Sequence, residues 1–392
     1  MIFKNFKRSC ICASAFLLTV SFPLSGFAES GKTNPTEPVT TTSIVRQPEG
    51  YSSDGPNAVT KSTDPVTVTS AIPEPSRAAT DPVTTTSKNP SGVSSKSNII
   101  DKQASININD HVVMVSGHLS MGVANGRARE LVYDNGYKLS QLDWKLDNVF
   151  MIGGGVSIKP LSWLRFNGNV WLLPGDGNGT MDDYDWYVEG WDWTHWSHHS
   201  NVSVTEGTMY DINAELTFLR FNESSVFGIV GYKHDHWKWE ARGGNFIYSE
   251  YYFRDTYFSL PDNELGITYE QTYDAPYIGI GFHANLNPIT LDGRFIGSTL
   301  VSSSDKDTHH LRNILFTDDF DSGHMFGIDF ACTYNFTPHF AATAAFQYQK
   351  YEEITGDASA LYLDSGEKYT WKDGAGISLE STLVSLSLLM TL

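Results

Sequence analysis

In residues 210–218 every second side chain is apolar or small (Tyr210, Ile212, Ala214, Leu216, Phe218), and those between them (Asp211, Asn213, Glu215, Thr217) are polar. A period of two marks a strand with two unlike faces, because successive side chains leave opposite sides of the backbone. The pattern returns in residues 164–172, in residues 340–348, and in Val384, Leu386, Leu388, Met390 and Leu392 at the end of the chain. Helical periodicity is weak, and beyond residue 100 no apolar run approaches the roughly 18 residues of a membrane helix. The chain therefore reads as all-β and antiparallel.

A soluble sandwich, with a core on one face and water on the other, produces the same alternation. A transmembrane barrel is favoured by what accompanies it. Lys4, Lys7 and Arg8 precede an apolar run from Ile11 to Phe22, and Gly26-Phe27-Ala28 supplies small residues for cleavage, so residues 1–28 read as a secretory signal peptide. The strands, expected at about 9 to 11 residues each, end in aromatics (Trp163, Trp171, Tyr210, Tyr232, Tyr334, Tyr348, Tyr351) and are joined by polar loops of unequal length. Closure pairs every backbone group away from lipid. The pattern predicts an outer-membrane barrel with an even strand number between about 8 and 12.

Between leader and barrel, residues 29–100 are rich in Ser, Thr and Pro, with near-repeats beginning at Pro38, Pro65 and Pro82. So little apolar surface cannot offset the entropy of ordering a chain, and a disordered tether is predicted. The leader carries three cations and no acid, and the tether six cations against seven acids, so the formal charge of −18 becomes −20 on residues 101–392. That acidity argues against nucleic acid, which demands a basic face, and points to cationic partners. Only Cys332 remains beyond the leader, since Cys10 and Cys12 lie within it; an internal disulfide or a thiolate metal cluster is excluded. Cys332 is in phase with Phe326, Ile328 and Phe330 and is expected to face lipid.

Two segments carry chemistry. In Met181-Asp-Asp-Tyr-Asp-Trp186, Asp183 and Asp185 share one side of an extended chain and Asp182 and Tyr184 the other. Two such carboxylates can share a proton and hold a water, though a solvated acidic loop or a calcium-binding turn fits the same residues. In Asp305-Lys-Asp-Thr-His309, Asp307 and His309 are also two apart, so a carboxylate can orient an imidazole and make it a better base. A plain polar pair is the competing reading. Periodicity does not tell whether the two segments meet.

Glu130-Leu-Val-Tyr133, Lys138-Leu-Ser-Gln-Leu-Asp-Trp-Lys145, residues 181–186, Trp193-Thr194, Ala241-Arg-Gly-Gly244, Pro276-Tyr-Ile-Gly279 and residues 305–309 stand in the order and spacing of the omptins, and residues 101–392 resemble these outer-membrane endoproteases. The resemblance implies a ten-stranded barrel, monomeric, with its active cleft at the extracellular mouth. It implies catalysis by Asp183, Asp185, Asp307 and His309 acting on a water without metal, cofactor or acyl-enzyme. It also implies a pocket of Glu130 and Asp305 for the Arg or Lys that precedes the cleaved bond of a polypeptide substrate.

Two departures stand out. His195 follows Trp193-Thr194 where an acid is usual, which predicts a weaker preference for a basic residue after the cut, changing again once His195 is charged below about pH 6. Omptins bind lipopolysaccharide phosphates through outward basic residues and several need it as an activator. Here Tyr232 is followed by His234 and His236 in place of an acid and an Arg, and Thr272 replaces a further Arg. That predicts weaker or acid-favoured phosphate binding; paired metal ligation by His234 and His236 is the less favoured reading. His195, His198 and His199 read as a loop cluster, with His199 a candidate for the rim of the site. The rival function is an adhesin or invasin on the omptin scaffold. A porin or acyl-hydrolase barrel lacks a Ser-centred motif.

Overall fold

The computed structural model describes residues 106–108 and 111–392; the signal peptide and tether expected from composition lie outside the described residues. A three-residue strand, β1 (Ile106–Ile108), pairs with the start of β2 (His111–Asp134). There follow β3 (Tyr137–Leu161), β4 (Leu164–Leu172), β5 (Gly177–Asp185), β6 (His195–Phe221), β7 (Ser224–Tyr248), β8 (Thr256–Asn285), β9 (Ile289–His309), β10 (Ile314–Asn335), β11 (Phe340–Tyr362) and β12 (Lys368–Thr391). Every pairing is antiparallel between neighbours, and β12 returns to β2, with Ala375 opposite Val132 and Thr391 opposite Ser116. That last ladder closes the sheet into a barrel. Because β4 and β5 both lie between β3 and β6, they form one stave interrupted at residues 173–176, and the wall has the ten positions expected.

The strands are far longer than predicted. Only β4 and β5 have nine residues; the other staves run from 21 residues in β9 to 30 in β8. At about 3.3 Å per residue and a tilt near 45°, the 25 residues of β3 rise about 58 Å, more than twice the roughly 25 Å of an outer-membrane apolar band. Alternation of apolar and polar residues marks only the part of each strand that faces lipid, which is why the sequence reading stopped short.

The outer surface bears this out. Leu119, Met121, Phe150, Ile152, Val156, Ile212, Phe218, Ile278, Phe295, Leu386 and Leu388 are exposed and form the apolar belt, and Cys332 is exposed on the same face. Above it the wall carries ion pairs: Arg129 with Asp143 at 3.0 Å, Lys238 with Glu206 at 3.0 Å and Lys306 with Glu270 at 2.8 Å. Those charges belong in water. The end above them carries the long connections (residues 186–194 and 249–255), and the opposite end the two-residue turns at 162–163 and 222–223, as expected for the outer and periplasmic sides of such barrels.

Inside, the upper lumen is plugged. Trp144, Trp237, Trp239, Tyr269, Tyr273 and Tyr351 are essentially fully buried. Trp144 stacks on Tyr269 at 5.1 Å and Tyr273 on Tyr351 at 4.3 Å, while Trp239 donates to the Lys145 carbonyl at 3.1 Å. This aromatic layer is a floor, and the mouth above it is a cleft.

Candidate functional site

β5 presents Gly177, Gly179, Met181, Asp183 and Asp185 to the lumen, all buried, while Asp182 and Tyr184 take the other face as the spacing predicted. Asp182 pairs outward with His198 at 2.8 Å and Lys145 at 3.6 Å. On the inner face the Ser140 hydroxyl donates to Asp183 Oδ1 at 3.2 Å, and Asp185 Oδ1 makes no protein hydrogen bond of ordinary geometry. Burial raises the Asp183 carboxyl to about 7 against the pull of Ser140 and Arg312. Burial and the adjacent Asp183 push Asp185 well up as well. The pair therefore holds a proton near neutral pH.

β9 ends with Asp307 and His309 on its inner face, 2% and 3% exposed, and His309 Nε2 lies 2.5 Å from Asp307 Oδ2. A single 3₁₀ turn (His310–Arg312) follows, and Asn313, in the left-handed region at φ 51°, returns the chain into β10. The turn folds the Arg312 guanidinium back onto His309 Nδ1. Burial and Arg312 lower the imidazole, Asp307 opposes them, and the net displacement is downward. His309 is neutral and able to accept a proton.

Around the barrel β9 lies four neighbours from β5 in one direction and six in the other, so the two pairs stand on opposite walls. Their charges reach one another across the lumen. Asp307 raises Asp183, Arg312 lowers both Asp183 and Asp185, and Asp183, Asp185 and Arg312 all act on Tyr248 of β7. The barrel thus brings together the two segments that periodicity left separate.

Glu130 of β2 and Asp305 of β9 converge beside this cleft, 8% and 5% exposed. Tyr269 donates to Asp305 Oδ2 at 3.1 Å, and the Gln271 amide bridges the Tyr269 hydroxyl at 2.6 Å to the Arg129 carbonyl at 2.8 Å. Burial first, then Asp307 and Asp305, raises Glu130; burial and Asp318 raise Asp305. The pocket is crowded with acids that a cation would relieve.

The histidines need correction. His195, His198 and His199 are not in a loop: β6 begins at His195, opposite Asp185. His195 packs between Tyr187 and Tyr248, ring centroids 4.8 and 4.6 Å away, and burial pushes it down to about 4. It is neutral well below the pH of about 6 expected from its ordinary value. His199 faces inward at 2% exposure, against Gly244, and burial takes it to about 4 also. Tyr232, His234 and His236 do face outward on β7, but they are engaged: His234 Nδ1 and the Tyr232 hydroxyl meet Asp274 at 2.8 and 2.5 Å, and His236 meets Thr272 at 3.0 Å. Ser140, Arg312 and Tyr248 escaped the sequence reading: Ser140 and Tyr248 sit on other staves and only register brings them to the site, and Arg312 reaches His309 through a 3₁₀ turn that no strand periodicity announces.

The Omptin family model matches residues 111–392. The plasminogen activator of Yersinia pestis is 32% identical over 301 residues, spanning 76% of this chain and 95% of its own length. The outer membrane protease OmpP of Escherichia coli is 28% identical over 269 residues, 67% of this chain and 85% of its own. The crystal structure of outer membrane protease OmpT from Escherichia coli superposes with a TM-score of 0.69 at 26% identity, covering 71% of this chain and 97% of that one. With the family model spanning the whole barrel and the long-stranded wall matched in three dimensions, the chain belongs to the omptin family of outer-membrane proteases.

Proposed function

We propose that this outer-membrane endopeptidase hydrolyses exposed polypeptides after Arg or Lys, using a water set between Asp183/Asp185 and Asp307/His309. One observation carries the reading: a buried, neutral His309 held at 2.5 Å by Asp307 faces a carboxylate pair across the cleft. With Nε2–H donated to Asp307, Nδ1 holds the lone pair. Arg312 caps that nitrogen, and the mechanism requires it to give way to the water. Nδ1 then takes a proton from water, the hydroxide attacks the peptide carbonyl, and the same proton passes to the leaving amine. The partly protonated Asp183/Asp185 pair holds the water on its other side. No enzyme nucleophile is used and no acyl-enzyme forms.

The basic side chain before the cut enters between Glu130 and Asp305, and the charge of −20 on residues 101–392 draws cationic polypeptides to the mouth. Neutral His195 lies beside Asp185 on the neighbouring stave, where it supplies no charge to attract a basic residue after the cut. On the outer wall, Tyr232, His234 and His236 contact lipopolysaccharide weakly, because Asp274 already occupies His234. The test is turnover of a quenched fluorescent Arg-containing peptide by refolded protein, Asp307→Asn and His309→Ala. Equal turnover by all three overturns the reading.

A further inference from the structure

Within the acidic pocket there is a carboxylate that neither motif nor spacing singled out. Asp318 of β10 stands directly opposite Asp305 of β9 in the ladder, so the two side chains leave the same face of adjacent strands. It is 9% exposed, and its Oδ1 accepts the Ser359 amide of β11 at 2.9 Å, which anchors one oxygen and leaves the other toward Asp305. Glu130 Oε2, on the facing wall, is buried without a protein hydrogen-bond partner of ordinary geometry, as is the Ser303 hydroxyl, one inward position along β9 from Asp305. Three carboxyls, one with an unpartnered oxygen, and an unpartnered hydroxyl nearby on the inner face of β9 are an arrangement for a donor-rich cation. An arginine side chain, with five N–H groups in a planar fork, fits that description better than an ammonium.

We propose that Asp318 is a specificity-determining residue, the third carboxylate of the pocket that receives the basic side chain before the cleaved bond. This rests on the assignment of Glu130 and Asp305 to that pocket. Like charges buried together cannot all ionise, so Asp318 and Asp305 share a proton, with Glu130, Asp307 and the Tyr269 hydroxyl as the other groups facing them and Asp319 adding its charge from the outer face of β10. A guanidinium entering the recess displaces that proton and pairs with the carboxylate it leaves. Substrate binding is therefore coupled to proton release, and the pocket excludes a neutral side chain because nothing then compensates the buried acids.

Asp318→Asn retains an oxygen for the Ser359 amide and removes only the charge. Loss of one charge-assisted hydrogen bond made equally in ground and transition states raises KM for an Arg peptide about 10- to 100-fold, with kcat changing far less. The preference for Arg over its neutral isostere citrulline falls by the same factor. The tightening of KM for the Arg peptide between about pH 6 and pH 8 flattens. Asp318→Ser, which cannot share a proton with Asp305, serves where the Asn variant fails to fold, and must give the same three changes. An unchanged Arg-to-citrulline ratio in both variants, or an equal loss for both substrates, overturns the proposal while leaving the enzyme assignment intact. If the unmodified protein itself fails to prefer Arg over citrulline, the pocket assignment beneath it falls as well.

Discussion

Asp307→Asn separates catalysis from stability in this barrel. The carboxylate lies 2.5 Å from His309 Nε2, and in the proposed mechanism the ring becomes a cation in the transition state. With charge centres about 4 Å apart and an effective dielectric near 20, that pairing is worth about 4 kcal/mol, so its removal costs about three orders of magnitude in kcat/KM. An amide presenting its NH₂ to Nε2 would add the wrong tautomer to this loss, leaving Nδ1–H facing the Arg312 donor. Stability moves the other way. Asp307 raises Glu130, Asp183, Asp305 and Asp318, so a neutral replacement relieves repulsion at four buried carboxyls. The assays are steady-state cleavage of the Arg peptide and thermal unfolding of the refolded barrel in detergent. A variant within tenfold of the unmodified rate refutes the dyad; a variant inactive because it melts early refutes the charge accounting.

Arg312→Gln removes a cation that lowers His309, so the imidazole rises and the acid limb of the pH profile of kcat/KM moves to higher pH; a limb that stays put or moves down contradicts its placement. Gly244→Ala introduces a Cβ at φ 130° and 2.8 Å from the His199 ring, and should destabilise the barrel by about 1–3 kcal/mol, read as a lower unfolding midpoint. Deep in the lumen, Arg294→Met strands Asp211 and Asp329, which the guanidinium holds at 3.3 and 2.6 Å, and should cost about 3–5 kcal/mol on the same measurement. Peptides with Arg-Lys and Arg-Val at the cut should turn over at similar rates near neutral pH, since His195 is uncharged there; His195→Asp should favour the Arg-Lys peptide by several-fold.

The contrast between β5 and β6 shows what the sequence could and could not disclose. In β5 a strict alternation placed Asp183 and Asp185 inward without any tertiary knowledge, and the same rule put Asp307 beside His309. The start of β6 carries Trp196, His198 and other polar or aromatic residues on the face that points to water, so no apolar alternation announces a strand and His195, His198 and His199 read as a loop. The same absence hid the upper half of every stave. Closure is a further step removed: Ser140 and Asp318 meet the candidate site only through ladder register, set by pairings over the whole circumference. The burial that neutralises His195 follows from Tyr187 and Tyr248 closing over it, contacts between separate strands and loops that local spacing does not encode.

The claim at the centre is that two carboxylates on one wall and a carboxylate and imidazole on the other act as one device. A double-mutant cycle with Asp185→Asn and Asp307→Asn tests it by comparing kcat/KM of the two single variants and the double. Residues that act on one water lose most of their effect together, so the double variant should be about as slow as the slower single one. Losses that multiply would mean that the walls work independently, and the shared water would have to be abandoned.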